Sequence, residues 1–365
     1  MRLLFCSLDA YSLFNTKTNF IFGGAEIRSV TIAKVFAERF KHEVYFLTRN
    51  QGFESEEWSN IKVLPFPGKL GNGYWSSQST LIQKIRNKFS VFKKKLNPSL
   101  SIIVERIKPD FIISFSLSKE TLELFEVAHT LQIPFILGFT SDRNLELNRV
   151  VDERLKLSYL NLLHKVKILI TQNDFQQKEL LLRFNKIGFK MLNPISLMVV
   201  NNNIDVSQVD FLWVGKSSSV KQPEYFIKLS RELSNFSFRM VLNKADDSIY
   251  YNCLRDKPDN LEVINHISFK DIDNFYKSSK VFVNTSEYEG FPNSFLQAAK
   301  YKKPILSLNV NPDNFLNEMT NKEELIDTLK KLQLKIEHLT EFSILNYEII
   351  YMDNYIYVEI GRAHV

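Results

Sequence analysis

The chain has 365 residues, more than one ordinary core holds, so two domains are expected. Its 44% hydrophobic content is that of a globular protein, and no run approaches the roughly 18 apolar residues of a membrane span, which argues against an integral membrane protein. The 47 Lys and Arg against 41 Asp and Glu give +6, a charge that suits a nucleotide substrate or an anionic membrane face, while two isolated cysteines, Cys6 and Cys253, fit a reducing cytosol and exclude a disulfide framework.

Residues 3–8 read as a first buried strand, and the apolar run before Asp9 is too short for a secretory signal. A polar loop leads to FGGAEIRSVTIAKVFAERF at 22–40, where Gly23 and Gly24 precede a helix with apolar positions at Ile27, Val30, Ala33, Val35 and Phe36. Residues 43–48 form the next strand. Paired glycines at such a strand–turn–helix junction let backbone approach a phosphate or sugar, although turn chemistry alone also accounts for them. The spacing is not GxGxxG, so a nicotinamide cofactor gains little support.

GKLGNGY at 68–74 reads as a loop, and 81–96 (LIQKIRNKFSVFKKKL) as an amphipathic helix. Its apolar face and interleaved lysines suit an anionic membrane surface, which would make the protein cytoplasmic and peripheral; an ordinary surface helix fits equally well. Strands follow at 111–116, 135–139 and 167–171, with a helix over 173–184. Thr140-Ser141-Asp142 ends the second of these strands, and Asp142 reads as a helix cap for the run after it.

The Asn-rich stretch at 193–209 reads as a linker between a first domain at 1–192 and a second at 210–320. The second opens with FLWVGKSSSVKQPEYFIKLS at 211–230. Gly215 and Lys216 close a strand, and Lys221 precedes Pro223 at a helix start. Further strands are expected at 238–242 and 261–264. Asp271 and Asp273 resemble a DxD metal motif, but they open a helix, where acids are expected electrostatically. No His/Cys/Asp cluster has metal-site spacing. Residues 281–307 (VFVNTSEYEGFPNSFLQAAKYKKPILS) read as strand, turn, helix and strand, with Glu287 and Glu289 in the turn. Carboxylates and free helix N–H groups at a strand's carboxyl end mark the ligand side of an open α/β sheet.

EGFPNSFLQA at 289–298 resembles the signature of family 4 glycosyltransferases, the retaining sugar transferases of the GT-B fold, and GGAE at 23–26 and Gly215-Lys216 with Lys221 resemble further elements of that family. The resemblance implies two Rossmann-like α/β domains facing a cleft. It implies transfer of a sugar from a UDP- or GDP-sugar to a glycan or lipid-linked acceptor, in cell-surface polysaccharide synthesis, with no cofactor and no essential metal. Lys216 and Lys221 would grip the donor diphosphate and Glu289 the sugar, forming the catalytic set. Gly23, Gly24, Gly215, Gly290, Phe291, Pro292 and Asn293 would line the donor site, and Asp142 would face the acceptor. Gln297 stands where the family has a second Glu on the nucleotide ribose. That departure leaves a catalytically impaired binder of nucleotide sugars as an alternative. A basic nucleic-acid-binding protein is a further alternative without a supporting motif, so no nucleic-acid partner is expected. The resemblance fades after residue 315. Residues 321–358 end in a β-prone aromatic stretch without an obvious partner strand, so the second domain is expected to be incomplete, and EIGRAHV at 359–365 reads as translated sequencing adapter.

Overall fold

The computed structural model describes residues 1–15, 17–18, 22–49, 52–67, 98–115, 117–147, 150, 152–196, 206–265, 267, 271–314, 343–345, 351–352 and 355–356. The amphipathic stretch at 81–96, the loop at 68–74 and the segments at 197–205, 321–342 and 357–365 lie outside the described residues. The chain forms two units: Met1–Thr171 with Glu179–Phe189, and Gln172–Lys178 with Lys190–Val365.

The first unit is built on a sheet of β1 (Arg2–Cys6), β2 (Glu43–Thr48), β3 (Glu56–Trp58), β4 (Ile61–Pro65), β5 (Phe111–Phe115), β6 (Phe135–Gly138), β7 (Ile168–Thr171) and β8 (Phe189–Lys190). Their order across the sheet is β3-β4-β2-β1-β5-β6-β7-β8. The pairs from β4 through β7 are parallel, and β3 returns antiparallel to β4. Continuous apolar runs such as Leu3-Leu4-Phe5 suit this role, because a parallel sheet covered on both faces buries successive side chains. The helices are α1 (Gly24–Lys34), α2 (Pro98–Ile107), α3 (Lys119–Thr130), α4 (Glu153–Lys165) and, from Glu179 on, α5 (Asp174–Phe184), whose first residues up to Lys178 belong to the second unit. Leu124, Val127, Leu162 and Leu163 from α3 and α4 pack with Leu4, Ile112 and Leu137 of the strands in one core. α1 runs on into a π-helical turn at Val35–Arg39.

The second unit repeats the plan. β9 (Ile195–Ser196) is followed by β10 (Val209–Lys216), α6 (Pro223–Glu232), β11 (Phe238–Asn243), α7 (Asp247–Asp256), β12 (Leu261–Ile264), α8 (Ile272–Lys277), β13 (Ser279–Asn284), α9 (Asn293–Lys300) and β14 (Ile305–Ser307). The parallel order is β12-β11-β10-β13-β14. Strand alternation sorts the core into two layers. Phe211, Trp213 and Val281 meet α6 and α7 residues such as Phe226 and Tyr250. Leu212 and Phe282 meet Tyr276 of α8 and Phe295 of α9. Asp271 and Asp273 stand at the start of α8, where Asp273 pairs with Lys300 at 2.8 Å.

Two sequence readings are corrected here. Residues 193–196, read as linker, are packed: Asn193 is buried, and Ile195–Ser196 is a strand. The β-prone tail also has partners. β15 (Ser343–Leu345) pairs antiparallel with β14, while β16 (Tyr351–Met352) and β17 (Tyr355–Ile356) form a small sheet with β9. Backbone donors and acceptors need partners wherever they can be found, and short separated strands satisfy them in ways that sequence spacing does not show.

Candidate functional site

In each sheet the chain order reverses beside the central strand. In the second unit β10 leads outward to β11 and β12 on one side, and the chain then crosses to β13 and β14 on the other. The crevice above such a reversal, at the carboxyl ends of the strands, is where open α/β sheets take ligands. The two loops rising there are Ser217–Gln222 after β10 and Thr285–Pro292 after β13. They carry Lys221 and Glu289, and Lys216 is the last residue of β10.

Side chains and backbone lock these loops together. Thr285 donates from its hydroxyl to the Lys221 carbonyl at 2.7 Å, and the Glu287 N–H donates to the Val220 carbonyl at 2.8 Å. The buried Trp213 indole N–H donates to Thr285 Oγ1 at 2.9 Å. Lys221 Nζ forms an ion pair with Glu289 Oε1. Ser286 Oγ donates to the same oxygen at 2.9 Å, and Asn284 holds Ser286 in turn. Glu289 Oε2 has no donor among the described residues. Lys216 forms no ion pair among them, and both lysines remain partly exposed. The arrangement is a charge pair fixed at strand ends, with one carboxylate oxygen and one ammonium left to a ligand.

The glycines act through close approach. A Cβ on Gly215 would meet the Trp213 ring at 2.6 Å, so this glycine makes room for the indole that anchors Thr285. A Cβ on Gly290 would lie 2.0 Å from Gln172 Oε1 and 2.8 Å from Gln176 Nε2. The Gly290 carbonyl accepts from Asn173 Nδ2 at 2.8 Å, and the Phe291 carbonyl from Asn193 Nδ2 at 2.7 Å. Phe291 is buried in the core, Pro292 is the N-cap residue of α9, and Asn293 is the first residue of that helix. Gln297 lies on the buried face of α9, and its Oε1 accepts from the Tyr276 hydroxyl at 3.2 Å. That hydroxyl titrates well above its ordinary range because it is buried, with Asp273 adding to the effect, so it stays a donor.

Gly23, Gly24 and Asp142 belong to the first unit. Gly23 caps α1, and its N–H donates to the Glu26 carboxylate at 2.6 Å, so the helix start carries its own anion. Asp142 opens a single 3-10 turn, Asp142–Leu145, whose cap is Ser141. Asn144 Oδ1 accepts from the Thr140 and Ser141 N–H groups at 2.9 and 3.0 Å. Nearby, Arg28 is fully buried. It donates to the Phe139 carbonyl at 2.9 Å and lies 4.7 Å over the Phe115 ring, and burial pushes its guanidinium down to about 9. Gly138 leaves space for that ring, since a Cβ there would come within 2.2 Å of it.

Sequence reasoning passed over Trp213, Thr285, Ser286 and the carboxamides Gln172, Asn173, Gln176 and Asn193. Thr285 and Ser286 stand in the quoted turn, where a small hydroxyl beside a carboxylate was the available signal. The carboxamides come from segments about 100 residues distant and carry no local signal. Among the described residues no group of three or more His, Cys, Asp or Glu could hold a metal ion, and no helix is long and apolar enough to cross a membrane.

Residues 198–328 match the family model for glycosyl transferases group 1, a range that includes Lys216, Lys221, Glu289 and Gln297. An uncharacterized glycosyltransferase of Haemophilus influenzae is 23% identical, aligned over 85% of this chain and 86% of the relative. Anabaena HepE, solved in complex with UDP and glucose, has a TM-score of 0.59 at 12% identity, over 84% of this chain and 80% of its own. Sucrose-phosphate synthase from Thermosynechococcus elongatus has 0.58 at 14%, over 84% and 81%. MnaA of S. aureus, solved with UDP, has 0.53 at 12%, over 93% and 89%. The likeness to these structures shows the fold, which is GT-B: α/β units built on parallel sheets. The match of the second unit to the group 1 model, on that fold, supports a glycosyltransferase.

Proposed function

We propose that this chain transfers a sugar, with retention, from a UDP-sugar to a glycan or lipid-linked acceptor in polysaccharide synthesis. The observation that carries the reading is the Lys221–Glu289 pair above the chain reversal of the second sheet, with Lys216 at the adjoining strand end. A nucleoside diphosphate leaves with more negative charge than it carries in the donor. Lys216 at the strand end and Lys221 on the cross-bonded loop stand beside that charge, and cations fixed at such a place lower a barrier. When the diphosphate draws Lys221 toward itself, Glu289 keeps its Ser286 bond and presents Oε2 to a hydroxyl of the sugar being transferred. Gln297 offers its amide N–H groups to the ribose while its oxygen is held by Tyr276. UDP is favoured over GDP by the relatives solved with UDP or with UDP and glucose. Asp142 is assigned to the acceptor side and the Gly23-Gly24 turn to the donor site, both on the family resemblance.

The test is a set of UDP-, GDP- and ADP-sugars scored by thermal shift and by release of free nucleotide. Ligand at a hundred times its Kd stabilises the folded state by about 2.7 kcal/mol, enough for a clear rise in Tm. UDP-glucose or another UDP-sugar is expected to raise Tm and to release UDP when a suitable acceptor is supplied. A protein that no nucleotide sugar stabilises would sink the reading. Stabilisation without any turnover across a broad acceptor set would favour a second one, a nucleotide-sugar binder in which Gln297 has replaced a required acid.

A further inference from the structure

Four carboxamides surround the loop that carries Glu289. Gln172, Asn173, Gln176 and Asn193 are 2, 1, 0 and 4% exposed. They form one directed network. The Gln172 N–H donates to Gln176 Oε1 at 2.8 Å, and the Gln176 N–H donates to Asn173 Oδ1 at 2.8 Å. Gln172 Nε2 donates to Asn193 Oδ1 at 2.8 Å. With their oxygens used in this way, Asn173 and Asn193 turn their Nδ2 donors outward, onto the carbonyls of Gly290 and Phe291. Gly290 fits against Gln172 and Gln176 only because it has no side chain.

We infer that Asn173 and Asn193 are positioning residues of the sugar-transfer site, oriented by Gln172 and Gln176; the inference rests on the proposed role of Glu289. Each holds one carbonyl of two consecutive residues, so the plane of the Gly290–Phe291 peptide and the direction of the chain into Pro292 are both set. Glu289 is the residue immediately before. Its backbone is therefore fixed on one side by this network, and its side chain on the other by Ser286 and Lys221. Amide side chains suit this task. Each has donor and acceptor in a fixed plane, so the bonds that Asn173 and Asn193 accept decide which way their donors face, while Gln172 Oε1 is buried without a hydrogen-bond partner among the described residues. Neither lysine assigned to the diphosphate is bonded to any of the four carboxamides, so the network acts on the sugar and not on the nucleotide.

The test separates those two effects. UDP affinity is measured by calorimetry, and UDP release from UDP-glucose by a coupled assay, for wild type, Asn173→Leu, Asn193→Leu and Gln172→Met. The leucines keep the branching at Cγ and remove the donors together with the acceptors that orient them. Expected are a fall in kcat of at least tenfold for each leucine variant, a smaller fall of three- to tenfold for Gln172→Met, and a UDP Kd within threefold of wild type throughout. A merely structural role would lower Tm and the active fraction while leaving kcat per active site and its ratio to KM unchanged; that result overturns the inference. Should a leucine variant fail to fold, Gln172→Met, which leaves both carbonyl bonds possible but removes the donor that orients Asn193, decides by the same criteria. Loss of UDP binding in folded variants also overturns it. A wild-type protein that neither binds UDP nor releases it from UDP-glucose would instead remove the reading on which the inference stands.

Discussion

The two units are built alike and differ at the point where their chain order reverses. In the first, the strand ends at β1 and β5 are followed by a glycine-led helix whose opening N–H is closed by its own Glu26, and by an arginine buried between an aromatic ring and a backbone carbonyl. The groups quoted there are directed inward, to protein atoms. In the second, Lys216, Lys221 and Glu289 stand partly exposed at the strand ends and keep bonding capacity for a ligand. A common architecture supplies a crevice, and the side chains at its rim decide whether that crevice holds an anion.

The comparison breaks most visibly at Glu289. Glu289→Ala is expected to lower kcat by about 10²–10³-fold, the range found for loss of a preorganised electrostatic contact, while Tm changes by only a few degrees. Wild-type turnover in the folded variant would show that the second rim is no more functional than the first. Arg28→Ala is the counterpart in the first unit. It should cost about 2–4 kcal/mol through the cavity it leaves and the lost bond to Phe139, as read by urea unfolding, and leave UDP affinity alone. Weakened UDP binding there would blur the distinction.

Gly215→Ala sharpens the account within the second unit. Its new methyl meets the Trp213 ring, so a loss of about 1–3 kcal/mol is expected. Because Trp213 anchors Thr285, kcat should fall with it, and Trp213→Phe in the same chain should restore part of the stability. Equal stability for Gly215→Ala and wild type would refute the packing argument.

The smallest effect lies at the opposite end of β10. Burial alone would raise the Asp210 carboxyl, but the bonds from Lys280 and Ser237 outweigh it and hold the group below the usual carboxylate range. A depressed folded pKa contributes stability that is present above the unfolded value, about 3.9, and is lost as pH falls through the folded one. Asp210→Asn should therefore flatten the fall of Tm below about pH 4 and leave activity at neutral pH unchanged. An unaltered acid limb would count against it.

Much of this was legible in the sequence, for physical reasons. The strands of both sheets are short continuous apolar runs, which parallel sheets demand, and the rim of the second sheet showed itself through charged residues next to glycine and proline. The scaffold behind that rim was not legible. Asn173 read as the start of a helix and Asn193 as the start of a linker, because a buried amide and a solvated one are the same letter until the carbonyl it serves is known. Gly215 and Gly290 were read as donor contacts, yet their side-chain-free positions answer to Trp213 and to Gln172. The strands of the tail lacked visible partners because their pairing with β14 and β9 depends on long-range placement, to which local pattern is blind.

The most direct test of the central claim, that the second rim is the nucleotide site, is a calorimetric titration of UDP into three proteins: wild type, the Lys216→Ala/Lys221→Ala double variant, and Glu26→Gln in the first unit. Expected are binding by wild type, a Kd weakened by at least thirtyfold in the double variant, and a Kd within twofold of wild type for Glu26→Gln. Equal affinity of wild type and the double variant would contradict the claim.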